Sequence, residues 1–115
     1  MGFAGTGTIW MNGKLVPWKD ATIHIASHVI HYGSGVFEGA RCYDTPKGSA
    51  CFRLDEHLVR LMNSAKIYRM DYGLDLAGWR EALLGTIRAN EAPVREAPGA
   101  SAAKRPQDAA GVREL

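Results

Sequence analysis

One stretch of this sequence places three glycines among aromatic and charged residues, a mixture that ordinary strands avoid. Residues 31–43 read HYGSGVFEGARCY, with glycines at positions 33, 35 and 39. A glycine in a strand adds no side-chain packing and increases the entropy that folding must remove. Strands therefore carry glycine where the backbone bulges or where something approaches closely. The stretch predicts a strand over 35–43 that forms one wall of a ligand site.

Turn signals indicate further strands before and after this stretch. The dipeptide Asn12-Gly13 tolerates the positive φ angles of a tight hairpin, and short apolar segments lie on both sides of it. We therefore predict that the chain opens with a hairpin, and that a turn or short helical segment passes through His28. The predicted strands are 8–11, 15–18, 22–25, 35–43 and 50–54.

The apolar spacing changes to a helical period after these strands. Leu58, Leu61, Met62 and Ala65 follow the i, i+3, i+4, i+7 pattern of one helical face, and Asp55 is a suitable N-cap. A second helix is predicted over 76–88, directly after Asp75. Its apolar side carries Leu76, Trp79, Leu83 and Ile87. Strands first and helices second predict an α+β domain, an antiparallel sheet with helices on one face.

Composition divides the chain into a domain over residues 1–91 and a tail over 92–115. The tail contains seven alanines, three prolines and two glycines, and its larger apolar residues are Val94, Val112 and Leu115. Such a segment buries too little apolar surface to offset its ordering entropy, so disorder is predicted.

Charge and hydropathy restrict partners and location. The 14 basic residues are interleaved with 12 acidic ones, so the charge argues neither for nor against nucleic acid, and no nucleic-acid partner is expected. No apolar run is long enough to span a bilayer, and the amino terminus lacks the features of a signal peptide. We therefore expect no membrane association and a cytoplasmic location.

Cysteines and histidines raise two further possibilities. Cys42 and Cys51 flank the turn-rich residues 44–49, so a cross-strand disulfide is conceivable if the register suits, although two reduced thiols are favoured in a cytosolic chain. His24, His28 and His31 have spacings that could present imidazoles on one helical face. Strand and turn signals interrupt that helix, and no cysteine or carboxylate completes a ligand set, so no metal site is predicted.

Several short segments, in one order from Ile9 to about Asp71, resemble the amino-terminal domain of the class IV pyridoxal-phosphate aminotransferases, above all the branched-chain amino-acid aminotransferases. They are IWMNG (9–13), SH (27–28), HYG (31–33), VFEG (36–39), RCY (41–43), FR (52–53), EH (56–57), RL (60–61) and SAKIYR (64–69). D-amino-acid aminotransferases and aminodeoxychorismate lyases usually place an aspartate before the glycine at the position of Ser34-Gly35. They remain the alternatives within the class.

The resemblance implies amino-group transfer between leucine, isoleucine or valine and 2-oxoglutarate, with pyridoxal 5'-phosphate as cofactor, in a homo-oligomer. The family's Schiff-base lysine lies in a second domain, and no lysine here matches it. The resemblance therefore assigns no catalytic residue to this chain, which is interpreted as the amino-terminal part of such an enzyme, inactive alone. A non-catalytic interaction module with the same fold is the other interpretation.

Five residues match family positions that line the site. Arg60 matches the arginine that holds the cofactor phosphate, a task suited to a planar guanidinium. From the residues alone, Arg60 could instead pair with Glu56 one helical turn away. Residues of the substrate pocket are matched by Tyr32, Phe37, Gly39 and Arg41, with Tyr32 reaching the neighbouring subunit's site. For Tyr32 and Phe37 the alternative is core packing.

Overall fold

The fold begins with the predicted hairpin. In the computed structural model, which describes residues 5–96 and 113–114, strands β1 (Thr8–Met11) and β2 (Lys14–Pro17) are antiparallel, with Thr8 opposite Pro17. Asn12 and Gly13 form the turn with φ angles of 51° and 87°. Both lie in the left-handed region that such turns require, which confirms the reason for predicting this hairpin.

A second sheet lies later in the chain. Strands β3 (Cys42–Thr45) and β4 (Gly48–Cys51) are antiparallel, and a two-residue strand, β5 (Arg113–Glu114), pairs in parallel with β4. The strands thus form two small sheets, one for each hairpin. The predicted α+β class is confirmed, although it was expected to contain one sheet.

Two long helices supply most of the core. Helix α2 spans Leu54–Ile67 and α3 spans Leu76–Glu96. The core consists of Cys51, Leu54, Leu58 and Leu84, with Leu76, Trp79, Leu83 and Ile87 packed against it. The apolar helix faces predicted from the spacing of these residues are therefore the faces that meet. Among the described residues, no helix has the length and apolar character needed to cross a membrane.

The helix starts were predicted with mixed success. Asp75 precedes α3 as expected, and its Oδ1 accepts a hydrogen bond of 2.8 Å from the backbone N–H of Gly78, as an N-cap does. Asp55 is not an N-cap, because α2 begins one residue earlier, after Arg53 with a φ of 49°. The Asp55 carboxylate instead accepts a hydrogen bond from Arg80, and this ion pair joins α2 to α3.

The strands predicted over 22–25 and 35–43 were largely wrong. Between residues 21 and 41 the only regular element is the short helix α1 (His28–Tyr32). The backbone N–H of Ser27 bonds to the carbonyl of His24 at 2.9 Å, so a turn closes where a strand was expected. Ladder pairing starts only where the Arg41 carbonyl accepts the N–H of Phe52, at 3.0 Å. The predicted strand over 50–54 is the later part of β4, since α2 already begins at Leu54.

The end of the chain also differs from the expectation. Helix α3 continues to Glu96, beyond the predicted end at Arg88, and β5 lies within the predicted tail. The other residues of that tail, 97–112 and 115, lie outside the described residues.

Candidate functional site

The candidate site lies where the glycine-rich residues 33–41 meet α2. Arg60, on α2, donates from Nε to Glu38 Oε1 at 2.9 Å and from Nη2 to Glu38 Oε2 at 2.5 Å. Two parallel bonds between a guanidinium and a carboxylate fix the plane of the arginine as well as its position. Glu38 therefore anchors the glycine-rich residues to the helix and orients the Arg60 guanidinium.

His57 contacts the same carboxylate from one helical turn earlier. Its Nδ1 lies 2.6 Å from Glu38 Oε2, so this nitrogen carries the proton in the contact, because an ionised carboxylate only accepts. The hydrogen bonds from Arg60 and His57 hold the pKa of Glu38 below its ordinary value. The same contact with Glu38 raises the pKa of Arg60. Glu38 is thus an anion and Arg60 a cation at neutral pH.

The guanidinium retains donors for a ligand. Glu38 occupies the Nε–Nη2 edge of Arg60, and Nη1 makes no hydrogen bond within the described part of the chain. The Arg60 side chain is 66% exposed, whereas that of Glu38 is 15% exposed. An exposed, oriented guanidinium edge matches the oxygens of a phosphate. The donor set at Arg60 therefore fits the phosphate of a phosphorylated cofactor.

The alternative pairing of Arg60 with Glu56 is wrong. Glu56 accepts instead from Arg53 Nε, at 3.0 Å, across the start of α2. Arg60 therefore makes its ion pair with a residue 22 positions away in sequence.

Core packing of the two predicted aromatic residues is also wrong. Phe37 is 91% exposed and Tyr32 is 75% exposed. The Tyr32 ring stacks on His28, with ring centroids 4.4 Å apart. Both rings therefore present apolar surface that the described residues do not cover.

The structure brings some of the predicted residues together. Phe37 and Gly39 flank Glu38 in sequence, so they lie next to the Arg60 ion pair. Arg41 is exposed and its carbonyl starts the β3–β4 pairing. Among the described residues, no hydrogen bond or ion pair joins the side chains of Tyr32 or Arg41 to Arg60. A Cβ atom at Gly39 would meet nothing within 4 Å in the described residues, so this glycine leaves open space.

Sequence reasoning missed Glu38 and His57. In the sequence, nothing positions Glu38 and Glu56 across a common substrate as an acid/base pair, so Glu38 is not among the predicted site residues. A usable signal was present, since His57 and Arg60 are three residues apart on a predicted helix and so lie on one side of it. Two cationic or proton-donating groups on one helix side indicate an anion nearby, but the sequence does not specify which one.

The three histidines considered as metal ligands have local roles. His24 Nδ1 accepts the N–H of Ala26 at 3.0 Å, and His31 Nε2 donates to the carbonyl of Ile25 at 2.8 Å. His28 Nδ1 lies 2.5 Å from the hydroxyl of Ser34. The described residues contain no group of three or more potential metal ligands.

Comparison with known proteins connects this geometry to one group of enzymes. No family model matches the chain. It is 50% identical over 82 residues to the branched-chain-amino-acid aminotransferase of Salmonella typhimurium, covering 71% of this chain and 26% of that protein. For the enzyme named in the same way from Pseudomonas aeruginosa, the identity is 49% over 84 residues, covering 73% and 27%.

Solved structures agree with the sequence comparison. The crystal structure of the Escherichia coli branched-chain amino acid aminotransferase matches with a TM-score of 0.73 and 48% identity, covering 75% of this chain and 28% of that one. The T.th. enzyme of the same name, complexed with N-(5'-phosphopyridoxyl)-L-glutamate, matches with a TM-score of 0.72 and 46% identity, covering 75% and 29%.

The chain thus spans about a quarter of the length of the relatives it matches. The comparisons agree in sequence and in fold, and they confirm the resemblance drawn from the short motifs. Over the amino-terminal part that the sequence comparison covers, about 71% of its length, this chain is a homologue of the branched-chain amino-acid aminotransferases.

Proposed function

We propose that this chain is the amino-terminal part of a branched-chain amino-acid aminotransferase, which transfers an amino group between leucine, isoleucine or valine and 2-oxoglutarate. The observation that carries the proposal is the Arg60 guanidinium, oriented by Glu38 and exposed along its other edge. Relatives of this name in the same fold support it. Their names favour this activity over the D-amino-acid aminotransferase and aminodeoxychorismate lyase alternatives.

Arg60 binds the phosphate of pyridoxal 5'-phosphate in this proposal. The T.th. relative is complexed with a phosphopyridoxyl compound, which supports a phosphorylated cofactor. When bound, the cofactor supplies the electron sink for amino-group transfer. Glu38 offsets the charge of Arg60, so firm binding of a phosphate requires further donors from the rest of the enzyme.

The substrate side is formed by Tyr32, Phe37, Gly39 and Arg41. The exposed Phe37 ring provides an apolar wall suited to a branched aliphatic side chain, and the open space at Gly39 admits the substrate close to the backbone. Arg41 and Tyr32 organise the polar end of the substrate. Tyr32 does so in the neighbouring subunit of a homo-oligomer. A cytoplasmic location of the whole enzyme is part of the same proposal.

A chimeric enzyme tests the phosphate role of Arg60. The 82 residues of this chain that align with the Escherichia coli aminotransferase would replace the corresponding part of that enzyme. The chimera is expected to transaminate leucine with 2-oxoglutarate. In its apo form, Arg60→Ala should weaken pyridoxal phosphate binding about ten- to hundredfold, because a charge-assisted contact is lost. Arg60→Lys should recover only part of this, since an ammonium lacks the planar fork.

Arg53→Gln is the matched control. Arg53 directly precedes α2, is 59% exposed and, like Arg60, pairs with a carboxylate, that of Glu56. It should leave the dissociation constant of pyridoxal phosphate unchanged. An unchanged constant for Arg60→Ala would contradict the phosphate role, and a folded chimera that binds cofactor without transaminating leucine would contradict the proposed substrate.

A further inference from the structure

Two cysteines face each other directly in the β3–β4 hairpin. The register places Cys42 opposite Cys51. The adjacent pair, Arg41 and Phe52, is joined by a hydrogen bond from the Phe52 N–H to the Arg41 carbonyl at 3.0 Å. Hydrogen-bonded and non-hydrogen-bonded pairs alternate along an antiparallel ladder, so the cysteines form a non-hydrogen-bonded pair. This is the closer kind, with Cα atoms about 4.5 Å apart, within the range that a disulfide spans.

Both cysteine side chains lie on the face of the hairpin that packs against α3. Cys51 belongs to the core cluster with Leu84, and Ile87 packs against that cluster. Cys42 lines a cleft that also includes Ile87 and Glu91. Directly opposed residues of a ladder point to the same side of a sheet. Ile87, which lies near both cysteines, agrees with that geometry.

We propose that Cys42 and Cys51 form a thiol modification site that reacts with a low-molecular-weight disulfide and closes as an intramolecular Cys42–Cys51 disulfide. The structure holds both residues as thiols. Cys42 is exposed, whereas Cys51 is 1% exposed. The order of reaction follows from this difference, because only Cys42 meets a small molecule in solvent.

The reaction proceeds through two exchanges. In the first, the Cys42 thiol loses its proton and its sulfur attacks one sulfur of the small disulfide. A Cys42 mixed disulfide forms, and the other half leaves as a thiolate that takes up a proton. In the second, the Cys51 thiol loses its proton and attacks Cys42 Sγ, which releases the remaining half as a second thiol. The two cysteines are oxidised, and one small disulfide is reduced to two thiols.

The groups around Cys42 control the rate of the first exchange. Partial burial, and then the negative charge of Glu91, raise the pKa of Cys42. The thiolate is the attacking species, so a raised pKa reduces its fraction at neutral pH. Removing the charge with Glu91→Gln should therefore accelerate the first exchange.

The bond would connect two parts of the candidate site. Cys42 directly follows the glycine-rich residues that carry Phe37 and Glu38. Cys51 ends β4, and only residues 52 and 53 separate it from α2, the helix that carries Arg60. A disulfide here fixes the relation between the strand that leaves the glycine-rich residues and the helix that holds the guanidinium. The reaction itself does not depend on the proposed aminotransferase activity.

Trypsin mapping tests the proposal on the 115-residue chain itself. The reduced chain is incubated with oxidised glutathione at neutral pH, alkylated and digested. Cleavage after Arg41, Lys47 and Arg53 separates Cys42, in peptide 42–47, from Cys51, in peptide 48–53. We expect these two peptides to be joined in a monomeric chain that has lost two hydrogen atoms, and to separate on reduction. A lasting glutathione adduct on Cys42, or a dimer linked through two copies of peptide 42–47, would overturn the proposal.

Three variants separate geometry from chance proximity. Cys51→Ala should trap the mixed disulfide on Cys42, and Cys42→Ser should leave Cys51 unmodified. The double variant Cys42→Ser, Tyr43→Cys moves the first thiol to the opposite face of β3 while nearly preserving the loop length. In the native buffer it should form the internal bond at least about tenfold more slowly, and in denaturing urea it should react as fast as the original pair. If the double variant and the original chain formed the internal disulfide at equal rates in native buffer, the strand register would play no part in the reaction.

Discussion

The core around α2 and residues 21–41 bury apolar side chains to very different extents. In the core, Leu54 is 0% and Leu58 3% exposed. In residues 21–41, Ile25 is 70% and Phe37 91% exposed. The second region is held by polar contacts, such as His31 to the Ile25 carbonyl and Glu38 to Arg60.

This difference shows that the two regions meet different requirements. The apolar residues of the core are buried against one another within this chain, so the stability of the core can be explained from the described residues. Residues 21–41 present large apolar side chains that the described residues leave uncovered, as surfaces that contact another domain, subunit or ligand do.

The largest expected effect concerns activity. We predict that the 115-residue chain alone has no transaminase activity, because the proposed site residues form only part of a site and no lysine of the chain matches the family's Schiff-base lysine. The purified chain would be mixed with pyridoxal phosphate, leucine and 2-oxoglutarate, and glutamate would be measured. Glutamate formation above a cofactor-only control would contradict this and would make the exposed region a complete site.

A comparison of stabilities tests directly whether the core is packed and residues 21–41 are not. Leu54→Ala should lower the free energy of unfolding by about 2–5 kcal/mol, because a fully buried leucine leaves a cavity. Phe37→Ala, at a ring exposed to solvent, should change it by less than about 0.5 kcal/mol. Urea unfolding of both variants measures the difference. A loss at Phe37 as large as that at Leu54 would mean that residues 21–41 pack as a core in solution.

A smaller effect is expected where α3 holds the first strand. Asn90 accepts the N–H of Thr8 at 2.8 Å and donates to its carbonyl at 2.9 Å, so its amide pairs with the edge of β1 as another strand would. Asn90→Ala should cost about 1–3 kcal/mol, since half-buried backbone groups lose their partner. The exposed Asn63→Ala on α2 is the control. Equal unfolding free energies for the two variants would show that the hairpin is held without this amide.

The smallest effect is a pH dependence at the ion pair. The native pKa of Glu38 is lowered, so its charged form stabilises the fold above the ordinary glutamate value, and this contribution disappears as the pH falls through the native pKa. Glu38→Gln should therefore be less stable than the original chain at about pH 7, and this difference should shrink as the pH falls through the native pKa of Glu38. Unfolding across this range provides the measurement, with the exposed Glu81→Gln as a charge-matched control. A difference that persists unchanged in acid would exclude the carboxylate charge as its source.

The sequence predicted the elements whose signals are local. The hairpin follows from Asn12-Gly13, the cap of α3 from Asp75, and both long helices from apolar spacing within a few turns. The same reasoning failed over residues 21–41. There the apolar residues indicated strands, but the histidine contacts and the glycines leave the backbone without a ladder partner.

The order of the motifs by itself indicated the resemblance to the branched-chain amino-acid aminotransferases and the candidate site residues, because residue types and their spacing can be read directly from the sequence. Only the tertiary structure decided which carboxylate Arg60 binds and whether the strand register places Cys42 opposite Cys51. Glu56 lay at a suitable spacing for Arg60, yet Glu38, 22 residues away, is its partner. A contact over that distance depends on how the chain packs as a whole, and no local pattern encodes it.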